Sequence, residues 1–443
     1  MVMPIHIPGM IKNKINIFFF VFLIMCLFSC KKDTDDFGPA VVFNTPYENQ
    51  YFNVNDVVQV NASVSDENKI TAVSIRLVDA DLNALHTSIS VPVLSPSMTV
   101  NTHYALDNIH LESGIYYILI TASDGKNDSY TSRKIHITGI PKEVKKIFVV
   151  SSANISQTNF FYIDSTFSTL TPYKNFSGDY IGSSVHSYFQ QVYMCGNYTG
   201  NFTGIKLIDN MPRFTISPFV SSSSYFTGFY NTDKNNYVAQ YDGFIKGYGY
   251  TGNIIYGANA TNGYYTKHMC LNNKYMVAEE KNKISGTRNL ITYYPTGSAQ
   301  QTCFLNQDVI AFCEKDNDEV VVFGNNSGQG VIQLFDRLNN NIWNPYPFSL
   351  AAGTILCAVK IDADTYLIGH SNGTIYKYNY QSSGVTVYLA GYTAIQLKYD
   401  FGSNRVYIAE ENRISSVDYP SAIPVNSVNS AETVLDVHLL YNR

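Results

Sequence analysis

Charge is what this chain has least of. Only 15% of its 443 residues are Asp, Glu, Lys or Arg, where ordinary soluble proteins carry about 25%. Thirty basic residues stand against 35 acidic ones, a formal balance of −5. No basic block occurs, so nucleic acid is not an expected partner. Tryptophan is nearly missing, with Trp343 the single example. Cysteine is sparse: of seven, Cys26 and Cys30 fall in an N-terminal apolar stretch, leaving Cys195, Cys270, Cys303, Cys313 and Cys357. Five cannot all pair within one chain, and none stands at Cys-x2-Cys spacing. One disulfide is allowed; a disulfide framework and a paired-cysteine metal site are not. Most of the five lie in contexts such as Val192-Tyr193-Met194-Cys195, where cysteine acts as a small hydrophobe.

Tyr, Phe, Asn, Ser and Thr fill the gap left by charge, with 35 Tyr and 26 Phe. Aromatic and hydroxyl residues on this scale favour pleated, half-buried strands. The chain reads as all-β.

Its N-terminus is a different material. Lys12 and Lys14 precede Ile17 to Phe28, an unbroken apolar run of 12 residues. That suits a signal segment and falls short of the ~20 residues of a spanning helix. The run closes on Leu27-Phe28-Ser29-Cys30, which resembles a bacterial lipobox. The resemblance implies a signal peptide over 1–29 and acylation of Cys30, which becomes the mature N-terminus. Lys31-Lys32-Asp33-Thr34-Asp35-Asp36 follows, in a tether over 30–38. Acidic residues there resemble the surface-export signal of some Gram-negative outer-membrane lipoproteins.

From Pro39 to Gly139 the pattern is that of one β-sandwich. Val57 to Val64, Ile70 to Val78, Ile115 to Ala122 and Tyr130 to Ile137 read as strands. The last two flank Ser123-Asp124-Gly125-Lys126-Asn127, a hairpin signal. Leu111-Glu112-Ser113-Gly114-Ile115-Tyr116 followed by Ala122-Ser123-Asp124-Gly125 resembles bacterial Ig-like and cadherin-like modules, which implies an Ig-like sandwich over 39–139. Asp66, Asp79, Asp81 and Asp124 read as turn carboxylates rather than calcium ligands.

Ile140-Pro141-Lys142-Glu143 opens a linker over 140–144, and a repeat occupies 145–443. Seven strand-like segments end on small residues at 151, 196, 239, 278, 324, 369 and 409. The spacings are 45, 43, 39, 46, 45 and 40, a mean of 43. A β-patterned period in the forties predicts a seven-bladed β-propeller of four-stranded blades. The first repeat lacks an opening strand, and the chain ends with a spare one, Thr433 to Leu440. The C-terminal strand is therefore expected to close the ring against the segment that opens at Lys145, leaving no exposed edge.

No catalytic motif is found. Trp-Asp repeats, the sialidase box and the kelch double glycine are all missing, and Gly324 to Gly330 joins two strands, so it reads as a β-turn rather than a phosphate loop. The candidate metal ligands are His186, His268, Glu314 and His438. The first three stand ten residues before their anchors and the fourth lies in the closing strand, which places all four on channel-lining strands. Satisfied polar side chains near the axis are the competing reading, and no cofactor is expected. Tyr248, Tyr250 and Tyr256 cluster in one repeat, and Tyr376, Tyr378 and Tyr380 in another. They suit either recognition or packing between blades.

Together these features resemble the outer-membrane lipoproteins of Gram-negative bacteria that carry an Ig-like domain and a propeller. The expected protein is lipid-anchored in the outer membrane, surface-exposed, and presents its propeller as a binding platform for a protein or glycan. The alternative is a propeller hydrolase or lyase with its site at the channel mouth.

Overall fold

The computed structural model describes residues 37–443 apart from 68, 94, 165–166, 220–224 and 347–349. Cys30 and the signal segment lie outside the described residues. Among those described there is no helix, and thus none long and apolar enough to cross a membrane. The chain divides into two compact units at Ile140/Pro141.

The first unit is two sheets around one apolar core. In the three-stranded sheet, Val57–Ser65 lies between Ala40–Thr45 and Ser97–Ala105. The five-stranded sheet runs Gln50–Asn53, Asp128–Thr138, Gly114–Ser123, Ala72–Val78, Ile89–Val91. Alternation decides what is buried: Val58, Val60, Ala62 and Val64 share a core with Val73, Ile75, Leu77, Ile118 and Ile120 from the other sheet. Gly114–Ser123 and Asp128–Thr138 pair as a hairpin. Its turn needs Gly125, which sits at φ +95°, and Asp124, whose carboxylate accepts the amides of Lys126 and Asn127. Asp79 likewise accepts the amides of Asp81 and Asn83, and Asp66 that of Lys69.

Among the described residues, the second unit shows seven four-stranded antiparallel sheets. Sheets 2 to 7 take their strands in chain order, beginning at Gly182–His186, Phe226–Asn231, Tyr264–Asn272, Asp308–Glu314, Ile355–Lys360 and Gln396–Asp400. Sheet 1 is assembled from both ends of the unit: the C-terminal strand Thr433–Tyr441 pairs antiparallel with Val144–Asn154, followed by Gln157–Ile163 and Leu170–Ser177. The arrangement is propeller-like.

Burial explains why the second strands are apolar without alternation. Gln191–Cys195 is buried at every position. Val192 and Met194 pack on sheet 1 with Phe148 and Phe160, whereas Tyr193 and Cys195 pack on sheet 3 with Phe226 and Val238. Both faces of one strand thus serve two different cores. Further cores join sheets 3 and 4, 4 and 5, 5 and 6, and 6 and 7. Another joins sheets 7 and 1, where Tyr407 and Ala409 meet Val149, Val434 and Val437. First strands also stand beside one another in succession, and Thr433–Tyr441 has Gly182–His186 on one side and Gln396–Asp400 on the other.

The repeat anchors mark this crowding. Each falls within the second strand of its sheet except Gly196, one residue beyond. A Cβ on Gly369 would come within 2.6 Å of the Ala394 carbonyl, in the link that leads to the next sheet. All five described cysteines are free thiols, and every one but Cys303 is buried.

Candidate functional site

In an antiparallel four-stranded meander, the turn between strands two and three and the link to the next sheet lie at the same end. In sheets 2 to 4 that end carries a row of tyrosines. Tyr198 is in the turn after Gln191–Cys195, and Tyr225 immediately precedes Phe226–Asn231. Tyr241 is in the turn after Asn236–Gln240, and Tyr265 lies at the start of Tyr264–Asn272. The ring centroids of Tyr198 and Tyr225 are 4.0 Å apart with planes at 24°. Tyr225 and Tyr241 follow at 4.8 Å and 12°, then Tyr241 and Tyr265 at 5.1 Å and 40°. Lys283, in the corresponding turn of sheet 4, holds its ammonium 5.1 Å from the Tyr241 ring.

Local chemistry sets the row. Asp179, in the link from sheet 1, accepts four backbone amides: Asn197 at 2.9 Å, Tyr198 at 2.8 Å, Thr199 at 3.0 Å and Gly200 at 2.8 Å. Burial pushes its pKa up, but these four amides outweigh that and hold it below the usual carboxylate range. A fixed anion thereby shapes the loop that carries Tyr198. Tyr225 is joined to the next turn by its carbonyl, which accepts the Tyr241 amide at 2.8 Å. Burial, then the neighbouring phenol of Tyr198, push the Tyr225 hydroxyl pKa up, so it stays protonated.

Beside Tyr265 lies a charged network. Glu279 is fully buried, 2.6 Å from His268 Nδ1 and 3.1 Å from Arg288 Nε. Arg288 also pairs with Asp308 at the start of sheet 5. A buried carboxylate needs such partners, since burial alone would neutralise it.

A second cluster gathers on the first strands of sheets 1, 2 and 7. Ser183 Oγ is 2.7 Å from His438 Nε2, and Asp436 Oδ2 is 3.2 Å from the same nitrogen. The Tyr180 hydroxyl bonds Asp436 at 3.2 Å and Ser183 at 2.8 Å, and Gln396 donates to Asp436 Oδ1 at 3.0 Å. Desolvation raises the Asp436 pKa, yet the charges of His438 and Lys398 with its hydrogen bonds bring it well below the usual range. Serine, histidine and aspartate are therefore together but not in relay. A general base needs one ring nitrogen on the serine and the other on the carboxylate, and here both partners face Nε2. The cluster joins the C-terminal strand to sheets 2 and 7.

The four candidate metal ligands are all on first strands, but they are not brought to one site. His268 is engaged with Glu279 and His438 with Ser183 and Asp436. Glu314 is exposed at the end of its strand. His186 is buried against the Tyr193 ring at 4.5 Å with neither nitrogen hydrogen-bonded. Among the described residues no group of three or more His, Cys, Asp or Glu is placed to hold a metal ion. Of the tyrosines singled out in the sequence, Tyr248 and Tyr378 are buried in intersheet cores and Tyr256 packs partly buried beside Tyr237. Tyr250 stacks on Phe189 at 4.3 Å. No local motif marks the Tyr198–Tyr265 row, because its members are scattered singly over 68 positions. The available signal is the recurrence of Tyr198 and Tyr241 just past second strands and of Tyr225 and Tyr265 at the starts of first strands.

No family model and no curated protein matches the chain. Several solved structures are similar at 12% identity and a TM-score of 0.45. One is a quinonprotein alcohol dehydrogenase-like protein from Bacteroides thetaiotaomicron, covering 92% of this chain and 99% of its own. Another is the computationally designed Ika8 protein, covering 66% and 90%. A third is a functionally unknown protein from Desulfotomaculum acetoxidans, covering 65% and 98%. Likeness at this level says nothing of a shared activity.

Proposed function

We propose that this chain is a lipid-anchored outer-membrane protein, exposed at the cell surface, whose second unit is a closed seven-bladed propeller serving as a binding platform. Its ligand is a protein or a glycan. The first unit is read as an Ig-like sandwich that carries the platform, and Cys30 as the acylated residue. The circular succession of first strands and of intersheet cores supports closure. The tyrosine row carries the functional reading. Four aromatic rings with hydroxyl groups converge at one end of three adjacent sheets, where packing within a sheet does not require them. Tyrosine gives large contact area and hydrogen bonding at low entropic cost.

Screening the purified full chain and its Tyr225→Ala/Tyr241→Ala double variant against glycan and peptide arrays tests this. Hits lost in the double variant support the platform; hits indifferent to it sink the assignment of this face. Turnover of chromogenic esters or glycosides, lost in Ser183→Ala or His438→Ala, would instead establish the hydrolase alternative.

A further inference from the structure

Building on that binding face, we infer that the tyrosine row and Lys283 take an acidic glycan, a chain of sugars bearing carboxylates. The stacked geometry limits what the row offers. At 4.0 to 5.1 Å the rings cover much of one another's faces, so the row presents edges and hydroxyl groups. An aliphatic partner would bury those hydroxyls unpaired, at a cost of about 1–3 kcal/mol for each group left unsatisfied. A polyhydroxyl ligand pairs them.

The charge over the rings comes from Lys283. Arg288 is neutralised by Glu279 and Asp308. Among the described residues no carboxylate lies at ion-pair distance from Lys283, whose ammonium rests over Tyr241 in the middle of the row. Burial, then neighbouring phenols, raise the pKa of Tyr225 and of Tyr265, so these two hydroxyls stay neutral and do not repel an anion. A cation over the middle of the row, flanked by phenol hydroxyls, matches a ligand with carboxylates spaced among hydroxyls. The row crosses three sheets in order, which suits an extended chain.

The test is affinity electrophoresis of the detergent-solubilised full chain through gels containing alginate or polygalacturonate, with neutral dextran in parallel. Polyuronate is expected to retard the protein. Tyr225→Ala and Tyr241→Ala should each weaken retardation about tenfold, in the range of an interface aromatic. Lys283→Gln should weaken it about fivefold and remove the preference over neutral glycan, as expected for one charge-assisted contact. Lys283 is in an exposed turn, and coincident melting curves would show that its variant folds. Row-dependent binding of neutral glycan or peptide, unchanged by Lys283→Gln, overturns the acidic class and leaves the face standing. Polyuronate binding indifferent to all three variants overturns the assignment to this row. Absence of any row-dependent ligand defeats both readings.

Discussion

At the scale of single residues, the polar groups of this protein behave according to how completely they are partnered. Asp179 and Asp436 are carboxylates kept ionised by amides, cations or both, and Glu279 is buried between His268 and Arg288. His186 is the opposite case. It is 1% exposed, and both ring nitrogens lack a hydrogen bond. Desolvation lowers its pKa from 6.5 to about 4; the nearby Asn236 amide works against this and the charge of His438 adds to it. The folded chain therefore keeps this imidazole neutral over a window in which the unfolded chain is protonated. Stability attributable to His186 is full above about pH 6.5 and declines as pH falls toward about 4, by up to about 3 kcal/mol. Urea titrations across that window should show a falling midpoint in the native protein and a flatter one in His186→Phe, which keeps a ring against Tyr193. An equal pH slope in both would show that the titration belongs elsewhere.

At the scale of the element, the C-terminal strand matters most. Thr433–Tyr441 supplies Val434, Val437 and Leu440, none more than 2% exposed. Three fully buried aliphatic side chains are worth about 5–9 kcal/mol, as much as the whole stability of many domains. Its polar side chains matter as well: Asp436 reaches Tyr180 and Gln396, and just before it Glu432 accepts from Ser151 and Asn159. Truncation before Thr433 should abolish cooperative unfolding and expose the edge of Val144–Asn154, giving aggregation. Calorimetry and light scattering would check this; a truncated chain that melts like the full one would refute a structural role for the strand. The strand was legible beforehand as a spare apolar-alternating segment at the end of an array whose first repeat lacked one. Its side-chain partners were not: Gln396 lies 40 residues away, and Tyr180, Ser183, Ser151 and Asn159 lie more than 250 residues away in the chain.

At the scale of the whole molecule, the proposed anchor is testable without any ligand. Cys30→Ser should move the protein from the detergent phase to the aqueous phase, or leave its leader uncut, because stable membrane attachment needs more than one acyl chain and all would be lost together. Equal partitioning of the two forms into detergent would remove the lipoprotein reading. The candidate site was less legible at this scale than the fold. His186, His268 and Glu314 shared a repeat position and His438 lay in the closing strand, a one-dimensional signal that places them on comparable strands. Whether they meet depends on which way each side chain turns, and His268 turns to Glu279 while His438 turns to Ser183 and Asp436. The tyrosine row is the converse, with no local motif but rings in contact across three sheets.

That the chain is all-β, where its strands recur, and which residues must be small can all be read along the chain. Those properties follow from local alternation, from aromatic and hydroxyl content, and from a period that each segment repeats on its own. Which faces of the second strands meet which neighbours, how the buried carboxylates are paired, and that Tyr198, Tyr225, Tyr241 and Tyr265 stand together are set by the folded packing alone. Such contacts form between residues brought close by sheet packing, and a contact of that kind leaves no local trace in the chain.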